Sequence, residues 1–271
     1  MPLSLSSFIK SRLLQIVDAL IDIRPQPVPS ISRLERCRII AHRGDHRGNP
    51  LEENSMAAFR RAEMAGIWGV ELDIRFTADL EPVVCHDPDL SRIFGRPQQI
   101  AELSLSELKD QFPTIPTLAD VVQTFGHKLH LMIEIKSQPW PHPQRQNRRL
   151  QQILAELVPS KDFHLLCLHP RALEPLEGFP SYARLAISEY GPELRSRWIR
   201  RSRWGGLCGH YLLLRGAIIR SLHQNDQKVG TGYIRSRNCL FREINRGIDW
   251  IFSNHAGVLQ QIVNACLTDR Q

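Results

Sequence analysis

Gly69-Val70-Glu71-Leu72-Asp73-Ile74-Arg75, followed closely by Val83-Val84-Cys85-His86-Asp87, is the stretch on which the reading of the fold turns. As a strand it sends Glu71, Asp73 and Arg75 to one side and Val70, Leu72 and Ile74 to the other. A sheet surface facing water would show this alternation. A site built to hold a hard cation would show it too, and the rest of the chain decides between them.

Outward from this stretch, short apolar runs alternate with helix-period segments. The pattern predicts strands at 38–42, 69–75, 129–136, 163–169, 182–189, 204–211, 227–233 and 248–253. It predicts helices near 54–66, 117–126, 144–157, 170–177, 191–201, 214–225, 236–247 and 255–266. Strands that each lead into a helix make a (β/α)₈ TIM barrel, an α/β fold. The interval between the second and third strands is the longest, which implies a short insertion over the top of the barrel. Such a barrel places chemistry at the carboxyl ends of its strands. His42, Glu71, Asp73, Glu134 and Lys136 all fall there on this reading.

The bulk properties agree with a single core. The 271 residues are 42% hydrophobic, enough for one large domain over 31–271. A net charge of +7 attracts phosphates without choosing between small diesters, lipid headgroups and nucleic acid. No aromatic-interleaved basic motif is present, so no nucleic-acid partner is expected. The run Arg195, Arg197, Arg200, Arg201 and Arg203 reads as a solvated helix face, with phosphate-headgroup contact as the alternative. Six cysteines, none in a C-x-x-C pair, read as reduced, mostly buried thiols in a cytoplasmic setting. Residues 1–30 form a separate unit, an amphipathic helix over 3–23 and a stiff link containing Pro25, Pro27 and Pro29. Its apolar stripe is Ile9, Leu13, Ile16, Val17 and Leu20, and Asp18 and Asp22 argue against a cleaved signal peptide. The plainer expectation is a helix capping the bottom of the fold; the sharper one is peripheral membrane contact.

Several side chains carry chemistry. Glu71, Asp73 and Glu134 would face one cavity, where three carboxylates resist ionising together unless a divalent cation joins them. Oxygen ligands favour Mg²⁺, Ca²⁺ or Mn²⁺. A buried ion-pair network using Arg75 and Lys136 is the competing account. His42 and His86 each follow a short apolar run, and two imidazoles across a cavity can divide acid and base work. Arg43 offers a fork for phosphate oxygens and Lys136 a point charge. Asn54 reads as a helix N-cap, while Glu53 could reach a metal or a substrate hydroxyl.

With these residues in place the chain resembles the glycerophosphodiester phosphodiesterases. The resemblance is carried by Ala41-His42-Arg43-Gly44, Glu53-Asn54-Ser55-Met56-Ala57-Ala58-Phe59, Gly69-Val70-Glu71-Leu72-Asp73-Ile74, Pro82-Val83-Val84-Cys85-His86-Asp87, Ile115-Pro116-Thr117-Leu118 and Ile133-Glu134-Ile135-Lys136. It implies metal ligation by Glu71, Asp73 and Glu134 with Glu53 nearby, an acid–base pair in His42 and His86, and phosphate held by Arg43 and Lys136. It further implies hydrolysis of small-molecule or lipid phosphodiesters to glycerol 3-phosphate and an alcohol, as part of glycerol and lipid metabolism. A lysophospholipase D-like enzyme and a non-catalytic barrel binding anionic ligands or membranes are the alternatives. Departures from the pattern lie on the rim: Val229-Gly230-Thr231-Gly232-Tyr233-Ile234, Ser253-Asn254-His255-Ala256, His169-Pro170 and Gly209-His210-Tyr211. His210 is a further candidate for the site.

Overall fold

The computed structural model describes residues 17, 19–189 and 191–269. Eight parallel strands close into a barrel: β1 (Arg38–Ala41), β2 (Gly69–Phe76), β4 (His130–Ile135), β5 (Phe163–Cys167), β6 (Arg184–Ser188), β7 (Gly206–His210), β8 (Lys228–Gly232) and β9 (Trp250–Ser253). Closure is made where β1 meets β2, with Ile40 opposite Gly69 and Ala41 opposite Val70. Every strand predicted from the sequence is present, and the fold is the (β/α)₈ barrel.

The alternation in β2 has a simple cause. Val70, Leu72 and Ile74 point outward into the large apolar layer between strands and helices, joined by Leu131, Ile133 and Leu165. The opposite face of the wall points into the barrel. There Ile40, Met132, Leu166, Leu185, Cys208, Trp250 and Phe252 form a smaller apolar plug. Residues Gly69 to Ile74 are buried throughout, so the water-facing sheet is excluded.

Toward the amino-terminal end of the barrel a neutral pair fills the interior. His130 Nδ1 donates to the Lys161 carbonyl at 2.9 Å, which leaves Nε2 to accept from His164 Nδ1 at 2.7 Å. Trp68 stacks on His130 at 4.3 Å. Burial pushes His130 down to about 4 and, with His130 beside it, His164 down to about 3.

The insertion lies between β2 and β4. Strand β3 (Pro82–Val84) runs antiparallel to the far end of β2, with Ile74 opposite Val84 and Phe76 opposite Pro82. Short helices at Ser91–Phe94 and Leu105–Gln111 follow, over a small core of Val83, Leu90, Ile100, Leu108, Phe112 and Ile115. One predicted helix is absent: 170–177 holds only a 3₁₀ turn at Pro170–Leu173. Pro175 lacks an N–H and crowds Glu174, and Gly178 and Pro180 follow, so no α-helix can extend there.

Of the predicted helix 3–23, residues 3–16 and 18 lie outside the described residues. The short helix Ile31–Glu35 precedes β1, with Leu34 buried. No helix among the described residues is long and apolar enough to cross a membrane. All six cysteines are free.

Candidate active site

Strands β2 and β4 run in parallel register, with Asp73 opposite Glu134. Period-two alternation then turns Glu71, Asp73 and Glu134 into the barrel together. One oxygen from each lies within 4.8 Å of the others, and all three residues are buried. Glu71 Oε1 and Asp73 Oδ1 are buried and accept no hydrogen bond. A buried carboxylate oxygen without a donor, as at Glu71 Oε1, is costly, and a divalent cation is the ligand such a donor set fits. Burial pushes the Glu71 carboxyl well above the usual carboxylate range, and Asp73 and Glu134 add to the rise. Glu134 is raised for the same reasons. At Asp73 burial is outweighed by Lys136, Arg43, His86 and the Asn54 amide, which hold it at about 2.

Positive groups stand against the acids. Lys136 Nζ is 2.9 Å from Glu134 Oε1 and 3.3 Å from Asp73 Oδ1. Arg43 Nε is 3.2 Å from Asp73 Oδ2, and its Nη1 is 3.0 Å from Glu53 Oε1. Burial opposes the charge on both cations, and the surrounding carboxylates more than restore it. The turn after β1 makes this geometry. Arg43 has φ 56°, and its backbone N–H donates to Glu71 Oε2 at 3.0 Å. Gly44 follows with φ +81°, where a Cβ would meet Ala58 Cβ at 2.7 Å; glycine alone fits. The competing network is present in altered form: Lys136 pairs with the acids as expected, but Arg43 takes the place of Arg75, whose Nε donates to the His86 carbonyl.

Each imidazole has its own partner. His42 Nδ1 lies 2.6 Å from Asn254 Oδ1, which makes Nδ1–H the donor and leaves Nε2 free of its proton, 3.8 Å from Glu71 Oε2. Burial, helped by Arg43, lowers His42 to about 4. His86 Nδ1 is 2.7 Å from Asp87 Oδ1 instead, and its backbone carbonyl accepts from Arg75 Nε at 2.8 Å. Burial lowers His86 as well, while Asp73 and Asp87 pull the other way.

The remaining sequence candidates divide. Asn54 is not the N-cap; Ser55 is, accepting from Ala58 N–H at 3.2 Å. Asn54 sits one residue earlier at φ 54°, where its amide gives Nδ2–H to Asp73 Oδ2 at 2.9 Å and takes the Asp73 N–H at 3.2 Å. Glu53 is not brought into the carboxylate cluster; Arg43 and Arg92 hold it. His210 lies on the rim, its Nδ1 accepting from Leu212 N–H and its ring stacked between Tyr211 and Tyr233. Sequence reasoning missed Arg92, which spans Glu53 and Asp87, and the role of Asn254 as the partner of His42. A cavity of about 220 Å³ opens beside His86, lined by Leu51, Glu53, Val84, Arg92, Phe94 and Ile115 among others.

This arrangement can be set against known proteins. Residues 42–174, which include the three acids, both histidines, Arg43 and Lys136, match the Glycerophosphoryl diester phosphodiesterase family. Over those residues, just under half of the chain, it is similar to that family. The chain is 31% identical over 162 residues to glycerophosphodiester phosphodiesterase 1 of Mus musculus, a match covering 52% of this chain and 47% of the mouse protein. It thus spans less than half the length of the mammalian relatives it matches. With a glycerophosphodiester phosphodiesterase of Bacillus altitudinis it shares 25% identity over 242 residues, 80% of this chain and 94% of that one. Among solved structures, the glycerophosphodiester phosphodiesterase of Thermotoga maritima superposes with a TM-score of 0.71 at 24% identity, covering 83% of this chain and 98% of that one. A phosphodiesterase of Oleispira antarctica, solved in complex with the product sn-glycerol-3-phosphate, gives a TM-score of 0.70 at 23% identity, covering 84% and 96%.

Proposed function

We propose that this chain is a divalent-cation-dependent hydrolase that cleaves glycerophosphodiesters to glycerol 3-phosphate and an alcohol. The observation that carries this reading is the convergence of Glu71, Asp73 and Glu134, with ligand oxygens within 4.8 Å, beside two imidazoles held by separate partners. The bacterial and mammalian relatives support the reaction class, and the product held by the Oleispira enzyme supports glycerol 3-phosphate as the retained half. Glu71, Asp73 and Glu134 are the proposed ligands of Mg²⁺, Ca²⁺ or Mn²⁺. The cation, when bound, supplies electrostatic relief for charge building on the phosphoryl oxygens.

The chain's own groups take the other tasks. Arg43 and Lys136 hold phosphate oxygens, a fork and a point charge beside the same acids. Asn254 fixes His42 in the tautomer whose Nε2 can accept a proton, which suits His42 to the general base. Asp87 favours the imidazolium of His86, which suits His86 to the acid that protonates the departing alkoxide. Arg92 keeps Asp87 ionised and aimed.

The test is release of sn-glycerol 3-phosphate from glycerophosphodiesters with and without a chelator. Release should stop on chelation and return with a divalent cation. His42→Ala and His86→Ala should each lose about 10²–10⁴-fold in turnover while keeping the parent circular dichroism. Asp87→Asn should move the alkaline limb of the pH profile to lower pH, because His86 loses the anion that favours its charged form. Parent-like turnover in either alanine variant, or release indifferent to the chelator, refutes the proposal.

A further inference from the structure

The amino-terminal segment meets the barrel at the mouth. Asn238 Nδ2 donates to the Asp22 carbonyl at 2.6 Å, and Arg235 Nε lies 3.9 Å from Asp22 Oδ2. Asn238 is in the first turn of helix Arg237–Arg246, which leaves the carboxyl end of β8 and runs back toward the base. The chain then descends the flank of this helix. The Pro27 carbonyl accepts from Asn245 Nδ2 at 2.8 Å, and Arg33 Nη1 donates to the Asn245 carbonyl at 2.8 Å. Asp22 therefore stands at the end of the barrel that carries the acids and imidazoles.

Only part of the apolar surface here is used in packing. Ile21 lies against the main core, yet Leu20 is 58% and Ile23 75% exposed. Leu20 ends the stripe of Ile9, Leu13, Ile16 and Val17 in the sequence, so the barrel leaves the end of that stripe uncovered. The adjoining mouth loops repeat the pattern. Leu213, after β7, is 37% exposed, and Tyr233, after β8, is 65% exposed. Tyr233 holds φ 71°, a costly backbone state for an aromatic residue, and stacks on His210 at 5.1 Å. Arginines follow Leu213 and Tyr233 in the same segments. Arg215 lies 3.7 Å from Glu193, Arg235 flanks Asp22, and Arg237 stacks over Phe241 at 4.6 Å. An ion pair as exposed as that of Arg215 with Glu193 is weak and exchanges readily with other anions.

We infer that this sector of the mouth, formed by Leu20, Ile23, Leu213 and Tyr233 with Arg215, Arg235 and Arg237, docks on an anionic lipid surface. Separate apolar tips with arginines in the same segments suit a headgroup layer, where tips enter the acyl boundary and guanidinium groups remain among phosphates. A second copy of the chain would instead call for a continuous apolar patch. The net charge of +7 favours the anionic leaflet. Docking in this orientation turns the cation site toward the membrane, so the accessible substrates include diesters borne by single-chain lipids. That last consequence, unlike the docking itself, rests on the hydrolase reading.

The experiment is co-sedimentation of the full chain with phosphatidylcholine vesicles and with mixed phosphatidylcholine–phosphatidylserine vesicles, in low and high salt. Binding should favour the anionic vesicles and weaken with salt. The variant Leu20→Ser/Ile23→Ser and, on a separate segment, Leu213→Ser should retain the parent melting temperature and cleave a water-soluble glycerophosphodiester at the parent rate. The double variant should bind anionic vesicles about ten- to a hundredfold more weakly, as expected for losing two partly buried aliphatic tips. Absence of vesicle binding by the parent, undiminished binding by both variants, or a loss of self-association in place of vesicle binding would overturn the inference. Vesicle binding by a chain that cleaves no diester leaves the docking standing and removes the hydrolase reading instead.

Discussion

Asn54→Ala isolates the residue that ties the turn before helix Met56–Met64 to the acids. The parent amide makes two bonds to Asp73, one to its carboxylate at 2.9 Å and one from its backbone N–H at 3.2 Å. Loss of the charge-assisted bond costs about 1.5–3 kcal/mol, and the buried N–H left without an acceptor adds about 1–3 kcal/mol. Alanine must also hold φ 54°, about 1 kcal/mol worse than asparagine. These costs overlap, so the expected loss is about 4 kcal/mol, or roughly 10 °C in melting temperature for a domain of this size. Asn54→Gly removes the backbone share alone and should recover roughly 3 °C of that loss. The assay is scanning calorimetry in chelator, so that no cation compensates at Asp73. An alanine variant as stable as the parent, or no less stable than the glycine variant, would refute the reasoning.

Two further outcomes follow from protonation. Because burial and like charges raise Glu71 and Glu134, cation binding should expel protons, and the calorimetric binding enthalpy should scale with the ionisation enthalpy of the buffer; identical enthalpies in phosphate and Tris at neutral pH would exclude this. His130, held at about 4 against an ordinary 6.5, resists protonation when folded while the unfolded chain accepts it, so its contribution is whole above pH 6.5 and falls away as pH drops toward 4. The loss reaches about 2 kcal/mol at pH 5. Urea melts should show a smaller loss between pH 7 and pH 5 in His130→Gln than in the parent, and equal losses would remove the histidine pair as the cause.

What the sequence revealed depended on how local the signal was. Strand β2 was readable because its neighbours in sequence alternate between two buried environments, one apolar and one acidic. Glu134 could be joined to it because parallel register places residues at similar strand depth side by side. Asn254 and Arg92 were not readable as site residues. Each meets its partner across a long sequence separation, Asn254 with His42 and Arg92 with Glu53, and no periodicity links them. The N-cap was displaced by one residue because Asn54 and Ser55 are both good capping residues, and only the left-handed backbone at Asn54 separates them. The helix expected at 170–177 failed on its prolines, whose spacing outweighs the apolar period. The His130–His164 bond, between two strands, left no trace in composition.

Strand β2 touches β1, β4 and β3, and so it carries two of the acids and anchors the insertion with the same backbone. For protein engineering this makes the excursion from Pro88 to Thr114, beyond His86 and Asp87, a replaceable cassette. Loops could be exchanged there to reshape the cavity beside His86 while the pairing of β2 with β1 and β4 keeps Glu71 and Asp73 in register. One residue sets the boundary of such a library: Arg92 belongs to the cassette by position but to the scaffold by its bonds to Glu53 and Asp87, and any graft has to bring a guanidinium back to that point.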